Sequence, residues 1–262
     1  MSTPLRTLDT HLPSWLDPQC LAQGLNPFPP TTHCFDDPPG LLALSDRITP
    51  ALLRQAYPQG IFPWSAEDEP VTWWSPEPRA VLYTDQIKIR RSLKQAWRQQ
   101  PWQITFNHAL AQVLNHCASC PRPGQDGTWL RQDLQHSLLE LHQQSYVHSV
   151  EVWRDDQLVG GLYGLSFGQM FFGESMFSLV PNASKLALVA LTVHLQDWGW
   201  PMIDCQVTSD HLMSMGAVEL ARPDFEAQLQ HQVTLRQRPQ QDWIINPNLL
   251  AKALGHKDAD HA

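Results

Sequence analysis

Asp204 and Gln206 stand two residues apart in Ile203-Asp204-Cys205-Gln206-Val207, whose other members are apolar. On a β-strand successive side chains alternate between faces, so the carboxylate and the amide share one side while Ile203, Cys205 and Val207 share the other. Upstream, Gly173-Glu174-Ser175-Met176-Phe177 ends another strand with a second carboxylate. A carboxylate two residues from an amide, on the side of a strand that also faces Glu174, makes a plausible site for polar chemistry. The same residues would also suit a polar edge strand open to water.

The elements around them must bring these side chains together. From His148 the hydrophobic period is two: His148-Ser149-Val150-Glu151-Val152-Trp153, a turn at Asp155-Asp156, Leu158 to Leu165, a turn near Phe167-Gly168, then Met170 to Phe172. That pattern predicts an antiparallel meander. Gly160, Gly161 and Gly164 fall inside a strand and not at the start of a helix, so they mark a close approach of backbone or ligand and not a phosphate loop. A helix over 182–198 follows, with Asn182 as its expected N-cap. Then come a strand over 202–207, a helix over 209–215, a short strand near 217–220 and a helix from Asp224.

The first 80 residues hold 14 of the 22 prolines, which predicts an irregular small domain. Within it Thr49 and Pro50 open a short helix, as N-cap and first helical residue, and Gly60 ends it. Trp64 and Trp73-Trp74 flank a polar loop; a core position is the default for tryptophan, although an indole held by Pro63 could also stack on a base. Arg79 to Tyr83 reads as the strand leaving this domain. Lys88, Arg90, Arg91, Lys94 and Arg98 make the one dense basic run of the chain, and on a helix most of them share a stripe suited to phosphates. A helix is expected over 106–120. Its His116-Cys117-Ala118-Ser119-Cys120 lacks a second ligand pair and is read as incidental, with no metal site.

Composition limits the function classes. The 262 residues suffice for a sizeable core in one large or two small domains. Net charge is −8 and the charged fraction is 17%, below the usual value of about 25%, so nucleic acid must be met by a local patch on an acidic body. An odd count of five Cys and the lack of an apolar leader indicate a reduced, cytoplasmic protein. No run approaches the ~20 apolar residues of a membrane span. No cofactor is called for, and a monomer is expected.

Ordered blocks place the chain more narrowly. Gly40-Leu41-Leu42-Ala43-Leu44, Gly60-Ile61-Phe62-Pro63-Trp64, Trp73-Trp74-Ser75-Pro76, Thr128-Trp129, the His148–Trp153 run, Glu174-Ser175-Met176-Phe177, Asn182-Ala183-Ser184-Lys185 and Asp204-Cys205-Gln206 resemble bacterial leucyl/phenylalanyl-tRNA–protein transferases, over roughly residues 27 to 230. The resemblance implies an α+β protein: a loose extension (1–26), a small irregular domain (27–78), a GNAT-like acyltransferase domain (79–240), with its meander followed by helix, strand and helix, and a dispensable tail (241–262). It implies transfer of Leu or Phe, and by extension Met, from aminoacyl-tRNA to an acceptor protein's N-terminal Arg or Lys, which marks that protein for degradation.

Site roles follow from the same resemblance. Gln206 would accept from the attacking amine, Asp204 would accept from the Gln206 amide or from the incoming chain and so orient the site, and Glu174 would position the aminoacyl end or face the cationic acceptor. Leu162, Phe171, Met176, Leu188, Leu191 and Ile203 would line the side-chain pocket, with flexible Met176 admitting both Leu and Phe. Trp64 and Trp129 would wall the terminal adenosine. An acetyl-CoA acyltransferase is a rival reading, but Ser178-Leu179-Val180-Pro181-Asn182 has no glycine where a pyrophosphate loop belongs. A non-catalytic binding relic is a third: Leu179 stands where the family has Arg, Leu138 where it has Tyr, and Ser45-Asp46-Arg47 where it has Gly-Gly-Asp.

Overall fold

A computed structural model describes residues 13–119 and 130–256. Two sheets organise an α+β chain. The smaller one orders its strands β1-β2-β4-β3, with β1 (Ser14–Trp15), β2 (Leu41–Ser45), β3 (Phe62–Pro63) and β4 (Val71–Trp74). Between its strands lie α1 (Pro18–Ala22) and α2 (Pro50–Ala56). As expected, Thr49 caps α2 by accepting from the Leu52 N–H at 3.2 Å, and Gly60 ends the following turn in the left-handed conformation. Trp73 is fully buried, while Trp64 remains 42% exposed.

The larger sheet has the order β11-β5-β10-β9-β8-β7-β6. Its strands are β5 (Arg79–Tyr83), β6 (Trp102–Phe106), β7 (Val147–Arg154), β8 (Gln157–Phe167), β9 (Met170–Ser178), β10 (Met202–Gln206) and β11 (Val218–Leu220). The meander β7-β8-β9 is antiparallel, and Asp155 and Asp156 turn it with φ of 52° and 58°. The helices are α3 (Arg91–Arg98), α4 (Leu110–Ser119), α5 (Gln132–Gln143), α6 (Ala183–Asp197), α7 (Asp210–Met215), α8 (Arg222–Val233) and α9 (Pro247–Leu254). One core packs the α6 side chains on Leu162, Phe171 and Ile203; the other joins Tyr163 and Phe172 to α4, α5, α8 and the small sheet. Gly160 permits the first packing, because a Cβ there would collide with Ala183 of α6.

Four local expectations are corrected. Residues 102–106 form β6, so the helix expected over 106–120 begins only at Leu110; Cys120 lies outside the described residues. Asn182 does not cap α6 through its side chain: it sits at φ 76°, and the Ser184 N–H donates instead to Ser178 Oγ at 3.2 Å. The extension is anchored in part, since β1 pairs with β2 and Leu16 is buried. The C-terminal segment, expected as a dispensable tail, packs on the core. Trp243 stacks on His148 at 3.7 Å between ring centroids, and Leu250 and Leu254 of α9 are buried. Aromatic and aliphatic burial of that extent contributes several kcal/mol, at ~1.5–3 kcal/mol per side chain.

Candidate active site

β9 and β10 run parallel but pair at only two positions, Ile203 with Phe171 and Asp204 with Phe172. Beyond them the strands part, and in the same register Gln206 comes opposite Glu174. Side chains bridge the gap where backbone bonds stop: Gln206 Nε2 donates to Glu174 Oε1 at 2.6 Å. The opening is a cleft of about 540 Å³, roofed by Phe62, Pro63 and Trp64 from the small sheet.

The alternation expected for β10 fails at its end. A bulge falls between Asp204 and Gln206, and Gln206 itself has φ 63°. A left-handed residue re-aims its side chain. Gln206 therefore joins Ile203, Cys205 and Val207 along the cleft, and Asp204 does not line it. The expectation that Asp204 and Gln206 act side by side on one face is thereby corrected. Asp204 is fully buried, with both carboxylate oxygens taken by Arg79, Nε at 2.8 Å and Nη2 at 2.7 Å, and Oδ1 also accepting from the Gln206 N–H at 2.9 Å. Arg79 in turn donates to the Gly60 carbonyl at 2.9 Å and lies between the rings of Phe62 and Phe225. Asp204 thus holds the Gln206 backbone from behind the cleft and is closed to solvent.

Glu174 has a different setting. Its Oε1 accepts from Tyr57 Oη at 2.8 Å as well as from Gln206. Burial outweighs these two donors and pushes its pKa up to about 7, with the Asp204 charge adding to the rise. Burial and the Glu174 carboxylate likewise drive Tyr57 well above the usual phenol range, so it stays a donor. The Gln206 amide, with its NH₂ turned to Glu174, leaves its carbonyl oxygen to accept from a substrate. The assignment of that amide follows its hydrogen-bond partner.

Of the predicted side-chain pocket, Leu162, Phe171, Met176, Leu188, Leu191 and Ile203 all line the cleft, as do Glu174, Gln206 and Trp64. Trp129 lies outside the described residues. Lys88, Arg90, Arg91 and Arg98 are exposed and Lys94 half-buried, on and just before α3, away from the cleft lining. Leu179 is exposed, whereas Leu138 is buried in the core and offers no surface. In place of Gly-Gly-Asp, Ser45 accepts from Trp73 Nε1 at 2.9 Å. Among the described residues no cluster of ligating side chains could hold a metal, and no helix is long and apolar enough to cross a membrane.

Sequence reading missed Tyr57 and Arg79. Tyr57 lies 117 residues from Glu174 and Arg79 lies 125 from Asp204, with no local pattern linking either pair. Arg79 did carry a signal: it is a cation at the start of a strand whose next three residues are buried.

Comparison with known proteins places the chain as a whole. A family model for leucyl/phenylalanyl-tRNA protein transferase matches residues 81–230, and one for the N-terminal domain of that family matches 46–77. A curated relative from Hydrogenovibrio crunogenus, named leucyl/phenylalanyl-tRNA–protein transferase, is 45% identical over 94% of this chain and 90% of its own length. One of the same name from Pseudomonas fluorescens SBW25 is 50% identical over 76% of this chain and 87% of its own. Among solved structures, a GCN5-related N-acetyltransferase from Kribbella flavida aligns at a TM-score of 0.35 and 9% identity, over 65% of this chain and 59% of that one. Both strands that part around the cleft, and the roof over it, fall within the matched regions, and the chain belongs to the leucyl/phenylalanyl-tRNA protein transferase family.

Proposed function

We propose that this aminoacyltransferase moves leucine or phenylalanine, with methionine as a third side chain of fitting shape, from the 3′ end of its tRNA to the N-terminal Arg or Lys of an acceptor protein. The product is a new peptide bond and an N-degron. The observation that carries the reading is one cleft joining an apolar floor to a polar wall: Leu162, Phe171, Leu188, Leu191 and Ile203 below, Glu174 and Gln206 beside them. An aminoacyl side chain seated on that floor would bring its ester carbonyl to the wall. Trp64, exposed at the rim, supports stacking on the terminal adenosine, and the basic residues from Lys88 to Arg98 support phosphate contacts that set register without reading sequence. Action in the cytoplasm, as a monomer, belongs to the same reading.

The chemistry asks little of a base. The attacking α-amine has a pKa of about 7.7–8.0, so much of it is already neutral near neutral pH. Its nitrogen bonds to the carbonyl carbon, the carbon–oxygen bond to the ribose breaks, and the amine's proton ends on the ribose oxygen. The Gln206 carbonyl oxygen accepts an N–H and orients the lone pair. Glu174, with its proton affinity near 7, can take the proton in passing. Asp204 and Arg79 are positioning residues, holding the Gln206 backbone in its turned conformation.

Incubating the protein with leucyl-tRNA carrying radiolabelled leucine and a protein that begins with Arg tests the proposal. Label is expected in the acceptor and not in a version beginning with Glu. No incorporation, or equal incorporation into both, would overturn it.

A further inference from the structure

A second cavity, of about 260 Å³, adjoins the cleft and shares Phe62, Trp64 and Val207 with it. We propose that it is the subsite for the cationic side chain of the acceptor's first residue, with Glu219 as its main anionic partner; this rests on the transferase reading above.

The sheet register sets the distance. Gln206 of β10 and Glu219 of β11 both pair with Ala80 of β5, which lies between them. Their Cα atoms are thus two strand spacings apart, on the order of 10 Å. An amine held at the Gln206 carbonyl carries its own side chain toward Glu219 across the ridge that Val207 forms. A side chain as long as Arg or Lys is needed to cover that span.

The lining suits a cation. Its charged side chains are Glu77 and Glu219. Glu77 is partly neutralised by Arg222, whose Nη2 lies 3.5 Å away, but among the described residues no cation reaches ion-pair distance of Glu219. The indole of Trp74, which Trp64 meets edge to face at 6.0 Å between centroids, gives this cavity an aromatic wall that the main cleft does not share. Such a face attracts guanidinium and ammonium groups. Several prolines complete the rim and supply no N–H donors for an anion.

Glu174 is the weaker candidate for this task. One of its oxygens already serves Tyr57 and Gln206, and near pH 7 it holds a proton about half the time. A cation in the main cleft would lack a fixed counter-charge.

Steady-state transfer of leucine to short peptides that begin with Arg, Lys or citrulline, the neutral isostere of Arg, tests the assignment. Glu219 is exposed on a short strand, so Glu219→Gln leaves the fold intact. The variant is expected to raise KM for the Arg and Lys peptides roughly three- to fivefold, the upper end of the scale for an exposed charge pair. The KM for the citrulline peptide, the KM for leucyl-tRNA and the single-turnover rate at saturating peptide should stay within about twofold. Glu219→Lys should raise KM for the cationic peptides further. An unchanged KM for Arg and Lys peptides, or an equal rise for citrulline, would overturn the subsite while leaving the transferase reading intact. Failure of the unaltered enzyme to transfer leucine to any peptide would remove both.

Discussion

Two carboxylates sit beside each other in this molecule and have been given opposite surroundings. Asp204 has its own cation: Arg79 binds both of its oxygens, and the pair is sealed from water. Glu174 is served by neutral donors, the Tyr57 hydroxyl and the Gln206 amide, and its pKa rises to about 7. A carboxylate gripped on both oxygens by a fixed cation is held rigid, as scaffold. One that is desolvated without such a partner stays responsive to protons near the working pH. Gln206 connects the two, with its backbone N–H on Asp204 and its side chain on Glu174.

The strongest way to break this contrast is to remove one member of the scaffold pair. Arg79→Ala leaves the Asp204 charge buried and alone, and should lower the unfolding free energy by about 3–5 kcal/mol. Replacing both, Arg79→Met with Asp204→Leu, should recover most of that stability. Turnover should stay low, because the Gln206 backbone has lost its acceptor. Chemical denaturation and single-turnover transfer, measured on the same variants, separate the two effects. Full activity in the stable double variant would show that the pair does not position Gln206.

Gln206→Ala should leave stability within about 1 kcal/mol yet reduce single-turnover transfer by roughly 10²–10³, the scale of a lost transition-state hydrogen bond. Binding of a non-reactive aminoacyl-adenosine analogue should barely change. A rate within a few-fold of the parent would shift the whole burden to positioning by the cleft.

Per pH unit the effect is smaller, and it probes Glu174 alone. Its proton is held more tightly in the folded chain, with a pKa near 7, than in the unfolded chain, near 4.5. The stability this provides is complete below about pH 4.5 and is lost as pH rises through 7. The parent should therefore lose stability over that interval with a slope of up to about 1.4 kcal/mol per pH unit, reduced by whatever solvent reaches the group. Glu174→Gln should lack the slope. Superimposable pH–stability profiles would mean that Glu174 titrates normally.

Much of the framework could be read locally. The period-two segments of β7 and β8 and the apolar run of α6 lie within one or two residues of their predicted ends, because burial imposed its period on the sequence, whereas β9 runs six residues past Phe172, the predicted end of its period-two segment. β6 was legible as well: Trp102-Gln103-Ile104-Thr105-Phe106 alternates buried and less buried positions, but the apolar run after it drew the helix too far back. The C-terminal segment was not legible, since nothing near Trp243 in sequence announces the ring of His148 that it covers. Asn182 had the right residue type for a cap and the wrong backbone, because its left-handed turn points the side chain away.

By itself, then, the sequence determined most of the elements, the family blocks and the six apolar residues that line the cleft, all of which depend on side-chain type and short periods. Tertiary structure decided which polar groups meet the cleft and which are sealed behind it. Splaying of β9 from β10, the bulge that turns Gln206 into the cleft, and the arrival of Tyr57 and Arg79 from more than a hundred residues away are long-range events. Charge compensation acts through space, so the sealing of Asp204 and the raised proton affinity of Glu174 exist only once the chain has folded.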